Sequence, residues 1–70
     1  MTNLENEILR ELYDHRTHYE IGQLETITGK DPVEIRAAMA SLKDRHYVRE
    51  RDDNYEISVD GIAYGQSRWV

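Results

Sequence analysis

The sequence predicts one α+β domain spanning residues 1–70, built from three helices, a β hairpin and a short terminal helix. Three observations carry the prediction. Apolar residues recur at helical spacing through the first 45 positions, and the period then shortens to strand-like alternation. Each boundary between these segments coincides with a capping or turn residue. A chain of 70 residues has room for one thin core, because a domain this small buries only about 60% of the surface its unfolded chain exposes.

The first helix is expected over residues 3 to 16. Thr2-Asn3-Leu4-Glu5 has the spacing of a capping box, in which hydroxyl and carboxylate satisfy each other's orphan backbone donors. Leu4, Ile8, Leu9 and Leu12 follow as one apolar stripe, and the polar run Asp14 to His18 ends it. The next unit runs from Glu20 to Gly29, with Ile21, Leu24 and Ile27 on one face and Gly29 suited to the left-handed closing position. Asp31-Pro32 then reads as an N-cap followed by proline at the first helical position, where its missing N–H has no cost. Ile35, Ala38, Met39 and Leu42 hold one face of that third helix as far as Arg45. Two helices separated by a tight glycine-containing turn make a helix-turn-helix pattern.

Beyond Arg45, the β-prone runs Tyr47 to Arg51 and Tyr55 to Ile57 flank the turn-forming Asp52-Asp53-Asn54 and predict a hairpin. Ser58 is placed to cap a last helix, with Asp60 favourable in its first turn. Gly61 and Gly65 weaken that helix, so it depends on packing by Ile62, Tyr64 and Trp69. The expected core is Leu4, Ile8, Leu12, Leu24, Ile27, Ile35, Met39, Leu42, Val48 and Ile57. The five tyrosines fall about one per element and are read as core packing.

Composition excludes several functions. The chain has no cysteine, which removes disulfides, thiolate catalysis and cysteine-ligated metal centres. No apolar run nears the roughly 20 residues of a membrane span, and the first residues lack the regions of a signal peptide, so the expected location is the cytoplasm. His15, His18 and His46 are scattered and offer no third ligand, and no nucleophile stands at a useful spacing from them. No enzyme, metal site or cofactor is expected.

The net charge of −5 argues against unspecialised attraction to nucleic acid, but the charge is segregated. Residues 1–29 sum to −4 and residues 52–70 to −3, whereas residues 30–51 sum to +2 through Lys30, Arg36, Lys43, Arg45, Arg49 and Arg51. Only the middle third is basic.

The order of elements resembles the winged helix-turn-helix superfamily, in particular MarR- and PadR-like bacterial regulators and their small archaeal relatives. Leu24 to Gly29 is similar to the L-A-x-x-x-G second helix of these proteins, and Ile35, Met39 and Leu42 stand where their recognition helix keeps buried aliphatics. Asp44-Arg45-His46-Tyr47-Val48 resembles E-K-G-Y-V, which leads into the wing, and Tyr55 to Gly61 resembles Y-x-L-T-x-x-G, which leaves it. Glu25 departs from the pattern at a usually small residue, and His46 departs at a usual glycine. The likeness covers residues 4 to about 65. It implies a winged helix-turn-helix domain with a two- to three-stranded wing, the third strand lying near Thr17 to Glu20.

The resemblance also implies sequence-specific binding of double-stranded DNA by a transcriptional regulator, with the helix over about 31–45 in the major groove and the wing over about 47–57 on the backbone. Arg36 is the candidate for guanine, Ala37, Ala40 and Ser41 permit close approach, and Lys30, Lys43, Arg49 and Arg51 are candidates for phosphate. Asp52 and Asp53 at the wing tip are repulsive to phosphate. The alternative is a winged-helix protein-interaction module without direct DNA contact. A homodimer is expected through the first helix and the terminal segment, where Gly61 and Gly65 would leave a smooth strip ended by Trp69.

Overall fold

The computed structural model describes residues 1–69. The chain runs α1 (Asn3–His15), β1 (Tyr19–Glu20), α2 (Ile21–Thr28), α3 (Pro32–Asp44), β2 (Val48–Arg51), β3 (Asn54–Ile57) and α4 (Val59–Arg68). The three strands form one antiparallel sheet in the order β1-β3-β2. The fold is α+β, with four helices gathered against one small sheet.

Local chemistry sets the boundaries. Thr2 and Glu5 close the capping box in both directions, Thr2 N–H donating to Glu5 Oε1 at 2.7 Å and Glu5 N–H to Thr2 Oγ1 at 3.1 Å. Arg16 ends α1 in the left-handed region (φ 48°). Gly29 takes the same conformation after α2 (φ 73°), where no Cβ opposes it. Asp31 Oδ1 accepts from Glu34 N–H at 2.9 Å, with Pro32 first in α3. The hairpin turn is the two residues Asp52 and Asp53, both at positive φ (51° and 65°), the type I′ conformation that matches strand twist. Asn54 therefore belongs to β3, opposite Arg51, and not to the turn.

β1 pairs with β3 through Tyr19 opposite Tyr55, supplying the third strand. Its position is held from α1 as well, since the Tyr19 hydroxyl donates to Glu11 Oε2 at 2.8 Å.

The core joins Ile8, Leu9 and Leu12 of α1, Leu24 of α2, Ile35, Met39 and Leu42 of α3, and Val48, Tyr55 and Ile57 of the hairpin. Two expected members differ. Leu4 is only half-buried, at the end of the α1 stripe, and Ile27 is 42% exposed. The buried side of α2 centres on Leu24 and turns toward Ile21, Glu25 and Thr28, all half-buried, which leaves Ile27 at the stripe's margin. The same rotation accommodates Glu25 at a position where a small residue was the pattern.

α4 lies on α1 and on the hairpin base through its two glycines. A Cβ on Gly61 would collide with the Tyr47 carbonyl and Ile57, and one on Gly65 with the Tyr13 ring. Both glycines are buried inside their own chain, so the smooth strip expected for a second subunit is already filled. Trp69 packs at ring-centroid distances of 5.6 Å from Tyr13 and 5.9 Å from Tyr64, against the same core.

Two substitutions test this packing. Leu42→Ala is expected to cost about 2–5 kcal/mol, out of the about 5–15 kcal/mol available to a typical domain, and to lower the thermal midpoint followed by circular dichroism. Gly65→Ala forces the Tyr13 ring aside and is expected to cost about 1–3 kcal/mol with no change in oligomeric state. A Gly65→Ala protein that melts like the wild type would place that glycine back on the outer surface.

Candidate nucleic-acid interface

α3 buries Ile35, Ala38, Met39 and Leu42. That burial turns Glu34, Arg36, Ala37, Ala40, Lys43 and Asp44 outward, all exposed, with Ser41 half-buried at the margin. Lys30 stands exposed just before the helix. Arg36 stands on the flank of α3 toward the hairpin, whereas Lys30, Ala37 and Ser41 stand on the flank toward α1.

The sheet register sorts the hairpin. Val48 faces Ile57 and Glu50 faces Tyr55 on the side turned toward α3, while Arg49 faces Glu56 and Arg51 faces Asn54 on the other. Arg49 and Arg51 therefore share a side, opposite Val48 and Glu50.

Electrostatic pairing divides the candidate cations. Lys43 Nζ donates to Glu50 Oε1 at 2.8 Å, bridging α3 to β2. The carboxylate beside it raises the Lys43 pKa, and the ammonium in turn lowers that of Glu50. Arg49 Nη2 lies 3.0 Å from Glu56 Oε1, and Glu56 Oε2 lies 3.4 Å from His18 Nδ1. Among the described residues, Lys30, Arg36 and Arg51 make no ion pair. Sequence reasoning missed these partners because Glu50 and Glu56 reach their cations only through the strand register and the α3–β2 packing.

Two concave surfaces flank α3. A crevice of about 460 Å³ lies between Arg36, the start of α2 at Glu20 and Gly22, and the hairpin residues Glu50, Asp53 and Tyr55. Burial and the Glu50 charge push the Tyr55 hydroxyl upward in pKa. On the other side, Leu4 and Glu5 of α1 meet Ala37, Ala38 and Ser41 of α3 in a groove with Lys30 at its mouth.

Glu5 is the buried acid of this region, at 5% exposure. The nearby Ser41 hydroxyl and then the Thr2 N–H hold its carboxyl at about 2, against an ordinary 4.5. Among the described residues Oε2 makes no well-formed hydrogen bond, so Ser41 acts as a nearby dipole and not as an aligned donor. Through it, the N-terminal turn of α1 is coupled to the side of α3.

No group of three or more potential metal ligands occurs among the described residues. No helix there is long and apolar enough to cross a membrane. Comparison with protein-family models, with curated proteins and with solved structures finds no match.

The Glu5 environment gives a pH-dependent expectation. Its carboxyl titrates at about 2 in the folded chain and near 4.5 without these contacts, so its stabilisation is fully present above 4.5 and is lost as pH falls toward 2. Glu5→Gln is expected to melt below the wild type at neutral pH. The gap should close across that acid range, and a gap independent of pH would contradict the assignment.

Proposed function

We propose that this protein is a winged-helix regulator that binds duplex DNA. The outward face of α3 enters the major groove, and the hairpin, acting as the wing, lies along the flanking backbone. The observation that carries this reading is the composition of the exposed α3 face. Arg36, Ala37 and Ala40 stand clear of the core on a helix whose opposite face is buried. Small side chains at the centre let the helix approach base edges, and a guanidinium beside them has the fork geometry for guanine O6 and N7. Lys30 extends this surface toward phosphates at the start of α3, and Arg51, on the side of the hairpin turned away from α3, is offered to the flanking backbone by the wing.

A single module of this type buries only about 600–1,000 Å² on DNA, which favours a two-fold pair reading two half-sites. With Gly61 and Gly65 occupied, the pairing surface is the exposed part of Trp69 together with the outer sides of α1 and α4. A second reading, docking of a basic protein segment on the same α3 face, is favoured by Glu34, Asp44, Glu50 and Asp53, which border it.

Fluorescence anisotropy on a selected site and on random duplex separates the two. Arg36→Ala is expected to lose about 1–3 kcal/mol on the selected site and little on random DNA. Lys30→Ala and Arg51→Ala should weaken both alike, each flattening the salt dependence by about one unit of slope. Absence of any binding in dilute salt would overturn the DNA reading in favour of protein docking. In sedimentation equilibrium, Trp69→Ala should shift a micromolar dimer toward monomer, whereas a monomeric wild type would remove the dimer.

A further inference from the structure

Glu50 and Glu56 occupy particular places on the hairpin. Glu50 projects toward α3 and meets Lys43 with its Oε1, with Arg36 close enough to add to the field that keeps the carboxyl ionised. Glu56 is the more sheltered, its side chain only 19% exposed, and it uses both oxygens, one toward Arg49 and one toward His18. Each carboxylate sits against a cation that a backbone phosphate would have to recruit. Carboxylate and phosphate oxygens seek the same donors with similar geometry.

We propose that Glu50 and Glu56 are built-in competitors for phosphate, so that DNA binding is partly an exchange in which Lys43 and Arg49 trade a carboxylate for a phosphate oxygen. The proposal rests on the DNA-binding reading and names what sets the affinity and salt response of that face. A cation that neutralises a DNA phosphate ordinarily releases about 0.9 of a condensed counterion, and this release makes affinity fall with salt. In an exchange, one carboxylate is uncovered for every phosphate covered. The uncovered carboxylate lies beside a polyanion and recruits a cation from solution, which offsets the release. Lys43 and Arg49 therefore contribute little to the salt slope on random DNA, and that slope is carried by Lys30 and Arg51. In both pairs the cation is well exposed, at 45% for Lys43 and 60% for Arg49, and pairs open to water on one side are weak enough to part on contact with DNA. The face binds modestly in dilute salt and gives up little as salt rises.

The experiment is a salt titration of binding to a labelled random-sequence duplex. It compares the wild type, Glu50→Gln, Glu56→Gln, Lys43→Gln combined with Glu50→Gln, and Glu7→Gln. Glu7→Gln removes the same unit charge from an exposed position on α1, and thermal melts confirm that each variant is folded. Glu50→Gln and Glu56→Gln are each expected to bind severalfold more tightly in dilute salt and to steepen the slope by about one unit. Glu7→Gln should leave the slope unchanged, and the Lys43→Gln combination should return it to the wild-type value. If the wild type binds and the Glu50 and Glu56 variants merely match Glu7→Gln, the exchange is wrong and the DNA reading stands. If no form binds duplex DNA, both are wrong.

Discussion

Ser58 donates its hydroxyl to the His46 carbonyl at 2.5 Å and its N–H to the Tyr47 carbonyl at 2.9 Å, while its oxygen accepts from the Gly61 N–H at 3.0 Å. These three bonds join the end of α3, both strands of the hairpin and the start of α4. Their geometry needs His46 in the left-handed region (φ 64°) so that the chain leaves α3 sharply, and it needs Gly61 because the Tyr47 carbonyl occupies the space of a side chain. The angle between hairpin and α3 is thus held mainly by short backbone contacts. The Lys43–Glu50 bridge spans a gap whose width those contacts have already set.

Much of this was legible in the sequence where a residue acts on its immediate neighbours. The Thr2–Glu5 box, the Asp31-Pro32 start, the Gly29 stop and the Ser58 cap each depend on donors within about one helical turn, so spacing alone reveals them. The buried face of α3 was equally plain, because thirteen residues give its period room to repeat. α2 has only eight, too few to distinguish a stripe through Ile27 from one rotated toward Glu25 and Thr28, and packing against its neighbours decided. The two α4 glycines carry a signal that spacing leaves ambiguous. Spacing marked them as places for close approach, yet it could not say whether the approaching group belonged to another chain or, as here, to Tyr13 and Tyr47. For the candidate interface, the outward residues of α3 followed from its period, while the partners of Lys43 and Arg49 followed only from tertiary placement.

The acid excess also reads differently once positions are known. Several carboxylates have structural tasks. Glu5 completes a cap, and Glu11 accepts from Tyr19 and lies 3.2 Å from His15, which ties α1 to the first strand. Arg10 and Asp14 form an i, i+4 pair, and the guanidinium of Arg10 also lies over Trp69 at 5.8 Å. Arg68 over Tyr64 and Arg16 over Tyr13 complete a girdle of cations around the aromatic cluster that pins α4. Net charge therefore describes this surface poorly, because much of the charge is spent in local pairs on α1 and the hairpin.

The strand order has a consequence for solubility at high protein concentration. With β3 in the centre, β2 is an edge strand, and an edge strand is a template on which another chain can add by backbone pairing. Here the edge is only four residues long, reads Val-Arg-Glu-Arg, and ends in a tightly twisted I′ turn of two aspartates. Alternating charge and strong twist disfavour the flat, in-register stacking from which fibrils grow. The hairpin charges thereby guard the sheet against self-association.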